Sequence, residues 1–212
     1  MNDARAVRYC GSGGTEVIEL SAIPVPSPGP GQMLIQVSAC GLNRADILQR
    51  QGYYPAPEGV AADIPGLEYA GRVLATGSPT GRFKKGDKVM GITPGAAMAT
   101  HIVVHEREAL PAPQGMNLTE AAAIPEVYMT AYDALCLQAK MRPGDVVLIH
   151  SVGSGVGTAA IQIASAFGAT VLGSSRTKSK LERCMAIGLE HPILASEGEF
   201  LPELNTTGLK AN

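Results

Sequence analysis

The 212-residue sequence has no tryptophan, 4% aromatic residues and no apolar run long enough to span a bilayer. Its first residues, Met1-Asn-Asp-Ala-Arg-Ala-Val7, carry an early acid and no apolar core of signal-peptide length, so a cytosolic protein without a membrane partner is the expectation. Cationic excess is also missing. Lys and Arg total 17 against 19 Asp and Glu, and no basic block or aromatic-interleaved basic stripe occurs, which argues against a nucleic-acid partner. The four cysteines, Cys10, Cys40, Cys136 and Cys184, form no C-x-x-C pair and have no His at ligand spacing. Neither a zinc site nor a disulfide framework is legible, and reduced, mostly buried thiols are expected. There is no internal repeat and no low-complexity segment.

What is present is 45% hydrophobic content, enough for one large domain or two small ones. Short apolar or alternating runs at 4–9, 17–20, 33–39, 70–76, 88–92 and 100–104 read as strands separated by Gly and Pro clusters. The segment Pro24-Val-Pro-Ser-Pro-Gly-Pro-Gly31 excludes regular helix, residues 43–51 have helical composition, and Gly86-Asp87 marks a tight turn. These signals predict a small antiparallel, barrel-like domain over residues 1–124. It ends in an Ala-rich helix capped by Asn117 or Thr119. From Pro125 helices and strands alternate: helix 128–139, strand 146–150, helix 157–167, strand 170–174, helix 178–186 and a weak strand 192–195. The second domain, residues 125–212, therefore opens as a doubly wound α/β fold, and the chain as a whole is mixed α/β.

The stretch Val146-Val-Leu-Ile-His-Ser-Val-Gly-Ser-Gly-Val-Gly-Thr-Ala-Ala-Ile-Gln-Ile-Ala164 carries the most chemical information. An apolar strand runs through a glycine turn straight into a helix of small and apolar residues. Glycines without side chains let the backbone approach a pyrophosphate, and the helix start offers unpaired N–H groups and the positive end of its dipole. Glycines also occur in plain strand-to-helix connections, so context has to decide. About 20 residues on, an acid would take the ribose 2′-hydroxyl of NAD. Here the sequence is Gly173-Ser-Ser-Arg-Thr-Lys-Ser-Lys180, with hydroxyls and cations and no carboxylate. That composition favours a 2′-phosphate and so NADP(H). The plainer alternative is a solvated basic helix start, although Lys there opposes the dipole unless an anion compensates.

Two segments of the first domain, Asn43-Arg-Ala-Asp-Ile-Leu-Gln-Arg-Gln-Gly-Tyr-Tyr-Pro55 and Ile64-Pro-Gly-Leu-Glu-Tyr-Ala-Gly71, resemble the catalytic domain of the medium-chain dehydrogenase/reductase superfamily. Within it the chain is similar to the zinc-free quinone oxidoreductases. The subgroup similar to the tumour-suppressor-inducible quinone oxidoreductase matches through Leu42-Asn-Arg-Ala-Asp46, Gln49-Arg-Gln-Gly52, Ala121-Ala-Ala-Ile-Pro-Glu126 and Ser154-Gly-Val-Gly-Thr-Ala-Ala-Ile-Gln162. The resemblance covers essentially the whole chain. It implies a GroES-like β-barrel catalytic domain, lacking its C-terminal return, followed by the first half of a Rossmann domain.

The resemblance also implies a function and a site. Zinc members of the superfamily place Cys where Asn43 stands and His where Leu67 stands, so the thiolate and imidazole of a catalytic zinc are replaced. The implied reaction is zinc-independent hydride transfer from NADPH to a quinone or a related electron-poor conjugated carbonyl. Asn43 and Tyr54 would orient cofactor and quinone, with Tyr53 as an alternative. Thr130, Ser154, Gly155, Val156, Gly157, Ser175 and Lys180 would join Asn43 in holding the cofactor, Lys180 as the 2′-phosphate lysine. A Tyr that stacks near the adenine in relatives has no counterpart in His191-Pro-Ile-Leu-Ala195. Plainer roles stand beside these: Tyr54 as a surface aromatic, Glu68 paired with a nearby Arg, and Asp46 paired with Arg50 four residues on. None of His101, His105, His150 and His191 is given a catalytic role.

Relatives continue into further Rossmann strands beyond the end of this chain and homodimerise through that domain. The expectation is therefore that strand 146–150 forms an exposed edge. Three readings stay open: part of an NADPH:quinone oxidoreductase, an alkenal or enoyl reductase of the same superfamily, or a non-catalytic remnant that at most binds nucleotide.

Overall fold

The computed structural model describes residues 3–78, 81–195 and 199–211. The chain divides into two compact units after Glu126.

In the first unit β1 (Ala4–Tyr9) and β2 (Ile18–Ile23) form an antiparallel ribbon in which Ala4 faces Ile23 and Tyr9 faces Ile18. β3 (Gln32–Cys40), the helix α1 (Arg44–Arg50), β4 (Glu68–Thr76), β5 (Lys88–Ile92), β6 (His101–His105), β7 (Ala109–Pro111) and the short helix α2 (Leu118–Ala121) follow. The five strands form one antiparallel sheet in the order β6-β3-β4-β5-β7. A bridge between Ala6 and Ala99 joins the ribbon to the segment entering β6, curling the unit toward the expected barrel-like form. Alternation does the sorting. Met33 and Ile35 on β3, and Ile102 and Val104 on β6, turn to one face, where they meet Tyr69, Val73 and Val89. A second cluster packs Ala121 and Ala122 of the α2 region on Ala70 and Met90. Asn117, rather than Thr119, caps α2, its side chain accepting the Glu120 N–H at 2.8 Å.

The helix α3 (Pro125–Tyr132) starts at the end of the first unit and runs into the second, where it passes into a π-helical turn, Asp133–Gln138; the sequence predicts one unbroken helix there. The Ala139 N–H reaches the Ala134 carbonyl at 2.9 Å, and the Gln138 amide reaches the Asp133 carboxylate, so the i to i+5 spacing is bonded through backbone and side chain alike. β8 (Val146–Ile149), α4 (Gly155–Ala166), β9 (Thr170–Ser175), α5 (Lys178–Met185), β10 (His191–Leu194) and α6 (Leu201–Thr206) complete the second unit. Its sheet is parallel, in the order β10-β9-β8, which leaves β8 at one edge as expected. A groove of about 460 Å³ runs beside that edge, lined by Val147, Leu148, Leu135 and Met141. The core joins Ile149, Val152 and Val171 to Ala160, Ile161 and Ala164 of α4 and to Leu181 and Cys184 of α5.

The strand β7 and the helix α6 are additions to the sequence-based expectation. The cysteines correct it: all four are free, yet Cys10 is exposed, Cys40 and Cys136 are half-buried, and only Cys184 is buried. Among the described residues no helix is long and apolar enough to cross a membrane.

The sheet of the first unit depends on a close approach between β3 and β4. A Cβ at Gly71 would lie 2.2 Å from the Gln36 carbonyl oxygen, a backbone atom that cannot swing aside, whereas one at Gly81 would meet nothing within 4 Å. Gly71→Ala is expected to lower unfolding stability by about 1–3 kcal/mol, as overpacking does, with Gly81→Ala near neutral. Urea unfolding of the two variants side by side checks this, and equal midpoints would remove the constraint.

Candidate functional site

Two clusters, one in each unit, carry the residues singled out by the sequence. In the second unit β8 ends at Ile149 and the chain turns through Ser151, held at φ 52°. Ser154 caps α4, its hydroxyl accepting the Gly157 N–H at 3.1 Å, so the helix begins at Gly155, two residues before the position expected from sequence. Gly157 is what seats the helix. A Cβ there would lie 2.5 Å from the Val152 carbonyl oxygen, so only glycine lets the first turn of α4 rest on the backbone leaving β8.

A cavity of about 390 Å³ opens at the carboxyl ends of β8 and β9. Ser154, Ser175, Arg176, Thr177 and Lys180 line it, facing His150 and Phe200. The Lys180 side chain passes across Gly153, where a Cβ would sit 2.9 Å from its own Cβ. The structure thus brings Ser154, Ser175 and Lys180 to one cavity. Gly157 is buried in α4, Val156 is exposed on α4, and Thr130 is exposed on α3. Lys178 and Lys180 occupy the first turn of α5 with no acid beside them there.

Sequence reasoning gave His150 and Phe200 no place in this cavity and took Ser174 only as one hydroxyl of the basic motif. His150 Nδ1 lies 2.9 Å from the Ser174 hydroxyl, and its ring meets that of Phe200 edge-on at 4.7 Å. Ser174 is buried, and Phe200 caps α6. The ends of two adjacent parallel strands place His150 and Ser174 together, a register that no local pattern displays. Phe200 brings an aromatic ring to the cavity although β10 itself offers none.

In the first unit Asn43 caps α1 in a capping box, with its backbone N–H donating to the Asp46 carboxylate at 2.7 Å. Its side-chain Nδ2 donates to Glu68 Oε1 at 2.9 Å, and Glu68 Oε2 accepts the Glu126 backbone N–H, also at 2.9 Å. Glu68 is buried, at 2% exposure. It pairs with an amide and a helix N-terminus, not with an Arg, and the expectation of an Arg partner is corrected on that ground. The Asp46–Arg50 pair is likewise absent among the described residues: Asp46 Oδ1 and Arg50 Nε are buried without a hydrogen-bond partner. Arg50 lies one turn further along α1, while the Asp46 carboxylate turns back to the cap. Tyr54 is about half-exposed and Tyr53 largely exposed, in the loop after α1.

Burial pushes the Asp46 carboxyl above the usual carboxylate range, with the backbone N–H groups of Asn43 and Gly66 pulling it back. Burial also raises Glu126, and the carboxylates of Glu68 and Asp46 push it the same way. The Cys40 thiol rises for the same first reason, with Asp46 adding to the shift.

Comparison with known proteins gives the chain's relatives. Residues 29–114 match the alcohol dehydrogenase GroES-like domain. The chain is 35% identical over 206 residues to the mouse (Mus musculus) synaptic vesicle membrane protein VAT-1 homolog, covering 94% of this chain and 50% of that protein. It thus spans about half the length of the VAT-1 homologs it matches. Among solved structures, the quinone oxidoreductase of Pseudomonas syringae pv. Tomato DC3000 superposes with a TM-score of 0.88 at 31% identity, over 98% of this chain and 64% of that one. The CurK enoyl reductase superposes with a TM-score of 0.87 at 26% identity, over 99% and 66%.

The raised Asp46 carboxyl fixes the sign of one pH effect. The folded state holds that proton more tightly than the unfolded chain does, so stability is greatest below the ordinary carboxylate pKa and falls as pH rises through the raised one. Asp46→Asn keeps an acceptor for the Asn43 N–H and removes the ionisation. As pH rises above the ordinary carboxylate pKa, the wild type should lose more stability than this variant. Urea midpoints across that rise measure the difference, and parallel curves would contradict the assignment.

Proposed function

We propose that the chain belongs to the medium-chain dehydrogenase/reductase superfamily, binds NADPH and serves zinc-independent hydride transfer to a quinone or a related electron-poor conjugated carbonyl. The observation that carries this reading is the cavity at the ends of β8 and β9, whose lining supplies Arg176, Lys180, Ser154, Ser175 and Thr177 and, among the described residues, no carboxylate. A 2′-phosphate dianion is favoured by such a set, whereas the ribose diol of NADH would be served by a carboxylate there.

The residues present fit the cofactor. The first turn of α4, with Gly155, Val156 and Gly157 behind the Ser154 cap, offers backbone N–H groups for the pyrophosphate. Ser175 and Lys180, with Arg176, would hold the 2′-phosphate, and Thr130 would add a further cofactor contact. When bound, NADPH supplies the hydride and the electron pair it carries. The chain's own task is orientation. Asn43 offers an amide fixed in plane by its bond to Glu68, and Tyr54 offers a partly exposed phenol for the acceptor. Leu67 carries no donor atom, and Asn43 presents an amide where a thiolate would be needed, so the soft ligand set of a catalytic zinc is lacking at these positions.

The likeness to an enoyl reductase supports a second acceptor class, an activated C=C bond, reduced with the same cofactor. Fluorescence titration with NADPH and NADH tests the common premise. Saturable binding with preference for NADPH is expected, and Lys180→Ala should weaken NADPH by roughly ten- to hundredfold while hardly touching NADH, as loss of a charged hydrogen bond does. Equal affinity for both nucleotides, or none, refutes the reading. Loss of NADPH absorbance with benzoquinone but not with an alkenal favours the quinone; the reverse favours the second reading.

A further inference from the structure

We infer that Glu68 is a positioning residue that sets which way the Asn43 side-chain amide faces, a role that deepens the proposed hydride-transfer function and rests on it. The buried Glu68 carboxylate uses one oxygen for the Asn43 Nδ2 and the other for the Glu126 N–H. Both of its oxygens act as acceptors, so whatever meets them must donate. An Asn side chain has a donor end and an acceptor end of nearly the same shape, and its environment alone decides between the two orientations. Beside Glu68 only the NH₂ end is tolerated. The oxygen end is then turned to the start of α1, facing the Asp46 N–H in the capping box, while that N–H donates to the Asn43 backbone carbonyl at 3.1 Å.

The arrangement is held from three separate elements. Asn43 precedes α1, Glu68 opens β4, and Glu126 lies in the first turn of α3, where a backbone N–H has no partner within its own helix. An anion at a helix N-terminus is favoured by the dipole, so Glu68 has a stable seat that does not depend on Asn43. Glu68 is therefore the fixed member of the pair and Asn43 the oriented one. The second Nδ2 hydrogen of Asn43 is thereby held to one direction in place of the free rotation of an exposed amide. That fixed direction is what orientation of a planar ring would need.

The pair predicts an asymmetric mutational pattern. In Glu68→Gln the new side chain is isosteric, but while its oxygen keeps the Glu126 N–H, its NH₂ confronts the NH₂ of Asn43, which must flip and abandon the cap. In Asn43→Asp two carboxylates confront one another. In the double variant the introduced amide at position 68 donates through its NH₂ to the introduced carboxylate at position 43, whose other oxygen again faces the Asp46 N–H.

The test is a double-mutant cycle on the full chain by thermal unfolding, together with ¹H–¹⁵N spectra of the Asn43 NH₂ group, assigned by its loss in Asn43→Asp. Each single variant should lower the midpoint, and the double variant should lie above the additive expectation. The Asn43 NH₂ protons should exchange slowly in the wild type and quickly in Glu68→Gln. With NADPH and benzoquinone, Glu68→Gln should lose roughly ten- to hundredfold in kcat while the NADPH Kd stays within about twofold, because the fold is kept and the amide is reversed. Additive midpoints with unchanged NH₂ exchange overturn the inference, as does wild-type kcat in Glu68→Gln. No turnover by the wild type would defeat the proposed function, while the cycle and the exchange rates would still decide the orientation of Asn43.

Discussion

Backbone approaching backbone more closely than a side chain permits is the constraint around which both units are built. In the first unit β3 and β4 meet where Gly71 faces the Gln36 carbonyl, and the sheet that carries Glu68 at the start of β4 depends on that contact. In the second unit the first turn of α4 rests on the Val152 carbonyl at Gly157. Dense packing leaves no slack for a methyl group at either point, because the opposing atoms belong to the backbone and cannot rotate away. The consequences run outward to function. The seat at Gly157 determines where the N-terminus of α4 points, and the strand register at Gly71 determines where the first residue of β4 stands.

The two clusters held by these contacts are electrostatic opposites. The cavity of the second unit is lined by Arg176, Lys180 and hydroxyls. The first unit gathers Asp46, Glu68 and Glu126 with no cation bonded to them among the described residues. Each carboxylate answers its burial differently. Glu68 obtains two donors, Asp46 bonds the Asn43 N–H and keeps Oδ1 without a hydrogen-bond partner, and Glu126 stays half-exposed with its carboxyl raised by burial and by its two neighbours. A buried acid that has a full set of donors can hold another side chain rigidly; one that lacks a donor cannot.

Much of the architecture could be read along the chain because local patterns carried it. Alternation marked β3 and β6, glycine and proline marked the turns, and the Asn117 cap marked a helix start. β7 escaped because it is three residues ending in Pro, a strand only by virtue of pairing with β5. The π turn escaped because its composition is that of an ordinary helix, and one extra residue in the turn alters bonding, not periodicity over so short a span. At the sites the division is the same. Ser154, Ser175 and Lys180 fall within two motifs about 20 residues apart, the spacing that a βαβ unit requires. The partners of Glu68 lie 25 and 58 residues away, and those of His150 in the next strand and beyond it, so only the folded chain brings them together. An acid four residues before an Arg on α1 suggested a pair that the capping box, a stronger claim on Asp46, had already taken.

Under the proposed function, the basic start of α5 is a case of function setting local cost. Two lysines in the first turn of a helix oppose its dipole, and Thr177 at the cap gives no side-chain bond to offset them. Local stability alone would place an acid or a Ser cap in this turn. The cost is confined to the cavity rim, where Lys180 lies along Gly153 and its charge stands beside Arg176. An anion bound there would lower the energy of both cations and of the helix start at once, coupling ligand binding to the order of α5. Under the proposed function, residues that disobey the rules of local stability, grouped around one opening, are the mark that a phosphate-binding site would leave on its own scaffold.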